Sequence, residues 1–177
     1  AQATNALAGG ASASESFGVR VSDGSNTTAS QNLVINITGA NDAPTGLGLS
    51  ATTVVENSAG AVVGTLSATD AEGQAITYTV GGTDAASFEV VSGSLKLKDT
   101  VTADKEAKGS YSVTVTATDT ASGSSSSSFT ITVGDVNDAP VLAAPVSMAI
   151  TEDASSSAVS GALSATDPEG ATLSYQL

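Results

Sequence analysis

Cysteine, histidine and tryptophan are all missing from this sequence, and only five residues are basic. Without Cys and His there are no disulfides, no zinc sites of the usual type, no thiol nucleophile and no Ser-His-Asp machinery. Five basic residues against 18 acidic ones leave a formal net charge of -13. That excludes an electrostatic nucleic-acid binder, which needs a basic face, and disfavours docking on anionic lipid. No apolar run approaches the ~18 to 20 residues that span a bilayer, so no direct membrane insertion is expected. The chain opens on no charged-then-apolar signal segment; AQATNALAGG reads as the middle of something longer. Aromatics are scarce, with three Tyr and three Phe, too few to build a platform for a sugar.

What is present is Ala, Val, Leu and Ile for the apolar content, with abundant Gly, Ser and Thr. β-Branched residues alternate with polar ones, the composition of an extracellular all-β chain. The net charge is high enough for disorder, but the alternation is too regular for a disordered polar tract.

The chain also repeats itself. NDAP at Asn41–Pro44 returns at Asn137–Pro140, 96 residues on. SATDAEG at Ser67–Gly73 returns as SATDPEG at Ser164–Gly170, 97 residues on. Glu56 in VVEN recurs as Glu152 in ITED, and Asp23 in VSDG as Asp119 in ATD, each 96 residues apart. The shared period predicts the C-terminal part of one domain over 1–43, a complete domain over 44–140 and the N-terminal part of a further one over 141–177. A sandwich lacking half its strands exposes its core. The expectation is therefore that the natural chain continues both ways, or that the end pieces complete each other between molecules.

Within the middle repeat, seven strands are expected: Thr45–Ser50, Val62–Ala68, Ile76–Val80, Phe88–Val91, Ser94–Lys98, Tyr111–Thr118 and Phe129–Val133. The sixth is the clearest, with Tyr111, Val113, Val115 and Ala117 facing one way and Ser112, Thr114, Thr116 and Thr118 the other, the period of a half-buried strand. Gly81-Gly82 and the Ser-rich run Ser122–Ser128 read as loops. Seven short strands in ~100 residues predict an all-β fold of tandem immunoglobulin-like Greek-key sandwiches, strung into a linear rod.

Following the chain up and down such a sandwich places the acids at its two ends. Asn41, Asp42, Asp70, Glu72 and Asp119 fall at the incoming end. Glu56, Asp104, Glu106, Asp135, Asn137 and Asp138 fall at the outgoing end, where Asp167 and Glu169 of the next repeat join them. Thirteen of the 18 acids occupy these repeated positions; only Glu15, Asp84, Glu89, Asp99 and Asp153 lie elsewhere. Like charges 4 Å apart cost about 1 to 4 kcal/mol per pair at surface-like dielectric, against a whole-domain stability of only ~5 to 15 kcal/mol. A cation must offset this. Calcium takes 6 to 8 carboxylate and carbonyl oxygens in flexible geometry, whereas magnesium prefers to keep its water. Ca2+ is the expected ion.

These residues resemble the cadherin repeat. Glu56 in VVEN is similar to the family's first-strand glutamate. ADKEAKGSYSVTVTATD (Ala103–Asp119) resembles its signature segment, with Lys105 for the usual Arg, and DVNDAP (Asp135–Pro140) resembles its linker. Asp70 and Glu72 stand where the family has Asp-x-Asp. The linker lacks the family's second Asn; the resemblance implies a main-chain carbonyl as the equivalent ligand, and Val136 counts among the linker's expected ligands. VRVSDG followed by ITGANDAP looks closer to the VCBS-type repeat of bacterial surface proteins. Gly39 there replaces the linker's first Asp, so the first junction is expected to hold fewer or weaker ions.

The resemblance implies a calcium-rigidified segment of a secreted or cell-surface bacterial adhesin or filament, serving as a spacer. Its expected partners are neighbouring repeats of the same chain and, in a filament, other copies. A head-to-tail polymerising subunit and a ligand-binding adhesin module are the alternatives. No enzyme is expected: Asp104 and Glu106 could pair as glycosidase carboxylates do, but nothing aromatic is there to hold a sugar.

Overall fold

A computed structural model describes residues 7–143 and 163–176. Twelve β-strands run through these residues, with one short 3-10 turn at Ala85–Ser87 and no α-helix. The middle of the chain folds as two four-stranded sheets. One has the order β3 (Thr45–Leu49), β5 (Val62–Thr69), β8 (Ser94–Leu97), β7 (Phe88–Val91). The other has the order β4 (Thr53–Val55), β10 (Ser124–Gly134), β9 (Ser110–Thr118), β6 (Thr77–Gly81). Neighbours in space are not neighbours in sequence at β5–β8 and β6–β9, the crossovers of a Greek-key sandwich. All pairs are antiparallel except β4 with β10, which run parallel.

The strands follow from the two-residue period. In β9, Tyr111, Val113, Val115 and Ala117 are buried while the residues between them are not. Leu95 and Leu97 of β8 are fully buried. They meet Val54, Val63, Leu66, Phe88, Ile131 and Val133 in one core between the sheets. The Phe88 and Tyr111 rings meet edge to face, centroids 5.4 Å apart, the geometry aromatic quadrupoles favour. Between β7 and β8 the chain reverses on Ser92 and Gly93, both with positive φ (49° and 77°). Two left-handed residues make the type I′ turn whose twist matches a two-residue hairpin.

Two expectations need correction. The first strand of the sandwich is divided: after β3 the chain crosses to the other sheet and forms β4, so eight strands replace seven. β4 lies in register with β10, Thr53 opposite Thr132 and Val55 opposite Gly134, and inserts Val54 into the core. The Ser-rich run is mostly strand, since β10 begins at Ser124 and pairs with β9 along its length. Composition pointed to a loop, but the Ser side chains find cross-strand partners: Ser126 meets Thr116 at 2.8 Å and Ser128 meets Thr114 at 3.1 Å. Cross-strand Ser/Thr pairs of this kind stabilise sheets.

The repeat recurs in the flanking segments. β1 (Ser12–Val19) and β2 (Gln31–Thr38) form an antiparallel hairpin, at the repeat positions of β9 and β10. Phe17, Leu33 and Ile35 lie on one of its faces and are exposed. Further on, β11 (Val141–Leu142) pairs with β12 (Ala165–Thr166). The pairing of Thr45 with Thr69 recurs there as Val141 with Thr166. Glu152, the counterpart of Glu56, lies outside the described residues.

Leu97→Ala is expected to cost about 2 to 5 kcal/mol, the usual range for a buried Leu, read from the shift of a denaturant midpoint. A second expectation concerns pH. Asp84 accepts hydrogen bonds from the Lys108 ammonium and from the Ser112 N–H at 2.7 Å. Lys108 first, then the Ser112 N–H, hold its carboxyl below the ordinary 3.8. Its contribution is therefore present above about pH 3.8 and lost as pH falls through the lower folded value. Asp84→Asn should destabilise at neutral pH and lose that effect in acid, measured by thermal melts across pH.

Candidate metal centre

The outgoing end of the sandwich is organised around Glu56. It follows β4 directly and is only 2% exposed. One carboxylate oxygen accepts the Lys105 N–H at 2.6 Å and the other the Val136 N–H at 2.7 Å. The side chain thus ties the end of β4 to the 104–107 turn and to the chain leaving β10. Glu56, Glu106 and Asp135 each bring a carboxylate oxygen within 4.8 Å of the others. Glu106, Asp138 and Glu169 form a second group by the same measure. Glu106 belongs to both. Partial loss of water around its carboxyl, then the charges of Glu56, Glu169 and Asp135, raise its pKa above the ordinary 4.5. The charged form of Glu106 is therefore disfavoured here, and added positive charge would relieve it.

Second-repeat residues reach this end through the linker. Asp138 N–H donates to Glu169 at 3.2 Å, and the other Glu169 oxygen is buried with no hydrogen-bond partner. Asp138 also accepts the Asn57 side-chain amide at 2.7 Å. Asn137 turns its own amide onto the Asp138 carbonyl at 3.0 Å. Val136 contributes its N–H to Glu56. Asp104 and Asp167 fall in neither three-carboxylate group. Each instead holds a turn, Asp104 accepting the Ala107 N–H at 2.7 Å and Asp167 the Ala171 N–H at 2.9 Å.

At the incoming end, Asp119 is buried and accepts the N–H groups of Ala121 and Gly123, both at 2.8 Å, and the Asn41 amide at 2.9 Å. The Asn41 bond, then those backbone N–H groups, lower its pKa below 3.8. Asp70 accepts the N–H groups of Glu72 and Gln74, and Glu72 accepts that of Asp42 at 3.3 Å. The second oxygens of Asp70 and Glu72 are buried and have no partner. Buried carboxylate oxygens without a donor are costly, and three of them at the two ends are what a hard cation would satisfy. The oxygen-only donor set fits calcium.

Gln74 and Asn57 take part without having been expected. Both lie close to an acid in sequence, Gln74 two residues after Glu72 and Asn57 directly after Glu56. Nothing in composition or period marks an amide as a partner; only the fold brings Asn57 to Asp138, 81 positions along the chain.

Comparison with known proteins places this arrangement. Residues 50–134 match the family model of the cadherin domain. A crystal structure of human protocadherin-24 EC1-2, form II, superposes with a TM-score of 0.57 at 25% identity, covering 72% of this chain and 60% of that one. A second structure of human protocadherin-24 EC1-2 gives 0.51 at 27% identity over the same shares. The protocadherin GammaB4 extracellular domain gives 0.53 at 26% identity, covering 88% of this chain and 26% of that one. The chain thus spans less than two thirds of each of these solved chains. No curated protein matches the sequence. Over residues 50–134 the chain is a cadherin-like sandwich. No described helix is long and apolar enough to cross a membrane.

Glu56→Ala should destabilise the sandwich by about 1 to 3 kcal/mol for each buried N–H it leaves unpaired. Chemical denaturation checks this, and Glu56→Gln, which keeps one acceptor, should lose less.

Proposed function

We propose that this chain, with its cadherin-like domain over residues 50–134, is part of a calcium-rigidified tandem-repeat segment of an extracellular bacterial adhesin or surface filament. It acts as a spacer. The proposed division is 1–43, 44–140 and 141–177, with the repeat period and the recurring strand register in support. The observation that carries the reading is the pair of carboxylate groups sharing Glu106. Glu56, Glu106, Asp135 and Asp138 come from the middle domain and Glu169 from the next, so an ion held there would join the two. Glu56, Glu106 and Asp135 would hold one ion, and Glu106, Asp138 and Glu169 another. Asp104, Val136, Asn137 and Asp167 are proposed to complete the shell. Bound calcium stabilises only the arrangement that it binds, by RT ln(1 + [L]/Kd).

The apolar core of the sandwich does not depend on the ions, whereas the junction consists mainly of acids and main-chain groups. Chelation should therefore loosen the junction more than it unfolds the domain.

A head-to-tail polymerising subunit is the second reading, favoured by the exposed apolar face of the β1–β2 hairpin at Phe17, Leu33 and Ile35. Native mass separates the two: a subunit far above 17.0 kDa belongs to a long repeat protein, and one equal to it to a polymer.

Calorimetry with calcium should show binding. Glu106→Ala should weaken it by at least the roughly 10- to 100-fold that loss of an outer-shell partner costs. X-ray scattering before and after chelation should show a stiff particle becoming flexible, while circular dichroism keeps its β signal. An absence of binding heat, with scattering indifferent to chelator, would overturn the calcium reading.

A further inference from the structure

The two linkers share the NDAP sequence but not their surroundings. At the first, Asn41 is enclosed in side-chain hydrogen bonds. Its amide nitrogen donates to Asp119 at 2.9 Å, and its carbonyl accepts the amide nitrogen of Gln74. The other end of Gln74 accepts the Thr120 hydroxyl at 2.6 Å and the Ala121 N–H at 3.1 Å. The 119–123 turn packs tightly on this pair: a Cβ added at Gly123 would lie 2.4 Å from the Asp119 carboxylate and 2.7 Å from the Asn41 amide. One repeat later, the position of Gln74 is occupied by Ala171. A methyl group can make none of these bonds; the Asn137 amide has the bond to the next carbonyl, Asp138, that Asn41 also makes to Asp42 at 3.2 Å, without the side-chain partners.

The preceding segment differs as well. The repeat places Ala8, Gly10 and Gly39 where the second junction has Asp104, Glu106 and Asp135. Gly39 cannot be exchanged for Asp in this backbone, because an added Cβ would lie 2.2 Å from the Leu7 carbonyl oxygen and 2.4 Å from that of Ala8. Gly39 is also bonded through its N–H to Ala11 and through its carbonyl to Gly10. Gly9 packs on the linker itself, its Cβ position 3.2 Å from the Asn41 backbone nitrogen. Among the described residues, the carboxylates at the first junction (Asp42, Asp70, Glu72 and Asp119) lie on the linker or the later domain. Among the described residues, both three-carboxylate groups are at the second junction.

We infer that the first junction is a cation-independent joint, its linker tied to the later domain by a hydrogen-bonded staple of Asn41, Gln74, Asp119 and Thr120 and to the preceding segment by the backbone bonds of Gly39 with Gly10 and Ala11, while the second is the cation-dependent one. Among the described residues, a cation on Asp70 and Glu72 would meet no carboxylate of the preceding segment. The contrast rests on the calcium reading for the second junction alone; the staple stands on its own hydrogen bonds. The chain would then respond to falling calcium at one joint and keep the other shut.

The absence of native Cys makes paired spin labels clean reporters. Labels on Asn32→Cys and Thr130→Cys span the first junction in the full chain; labels on Thr130→Cys and Thr172→Cys span the second. Distance distributions are recorded by dipolar spectroscopy in calcium and in chelator. Chelation is expected to broaden the second distribution at least twofold and leave the first unchanged. Gln74→Ala, with calcium present, is expected to broaden the first and leave the second. Thr120→Val, which removes one bond of the staple, should act in the same direction and less. The inference is overturned if chelation broadens the first distribution as much as the second, or if neither variant broadens the first. Chelation that changes neither distribution, with Gln74→Ala still broadening the first, would remove the calcium reading and leave the staple intact. Circular dichroism of each variant confirms that the sandwich is folded when the distances are read.

Discussion

The buried carboxylate of Glu56 sets the geometry on which the outgoing end of the sandwich depends. A charged group at 2% exposure is tolerated only where donors surround it, and here the donors are two main-chain N–H groups far apart in sequence. Lys105 supplies one and Val136 the other. Satisfying the charge fixes the end of β4, the turn carrying Glu106 and the departure of the chain toward the linker in one arrangement. That arrangement gathers Glu106 and Asp135 around Glu56. The same bonds that hold the fold together here also bring carboxylates together; loss of water first, then the charges of Glu56, Glu169 and Asp135, raise the pKa of Glu106.

The apolar core and the clustered acids are kept apart in space. The core of Leu95, Leu97, Phe88, Val113, Val115 and Ile131 sits between the sheets and contains no acid. Among the described residues, the acids of the two ends lie outside the strands, in loops that hold carboxylates and main-chain groups together. A protein with this division can carry an acid-rich end while its interior is held by apolar burial, because the hydrophobic contribution scales with apolar area buried between the sheets.

Much of the sandwich was legible in the order of residues. The alternation in Tyr111–Thr118 states which side chains face inward, because successive strand residues must point to opposite faces. The β5, β7 and β8 strands were readable for the same reason. Less readable were β4, three residues long and defined by its parallel partner β10, and Ser124–Ser128, whose composition is that of a loop. Both are strands because a neighbouring strand offers hydrogen bonds, a non-local condition that no local pattern encodes. The acids of the outgoing end were likewise visible as a set, but which of them share a group was not. Glu106 joins two groups while Asp104, two residues earlier, spends an oxygen on the Ala107 N–H.

The sequence by itself determined the repeat, the all-β class, the inward faces of the strands and the segregation of acids to the strand ends, because each of these is written in period and spacing. Only the tertiary structure decided which groups meet. Gln74 reaches Asn41 and Thr120, and Asn57 reaches Asp138, across separations of tens of residues that close only when the sheets pack. The two NDAP linkers, identical in letters, thereby acquire different partners. Hydrogen bonds and charge clusters act over a few ångströms, and proximity on that scale is a property of the folded chain.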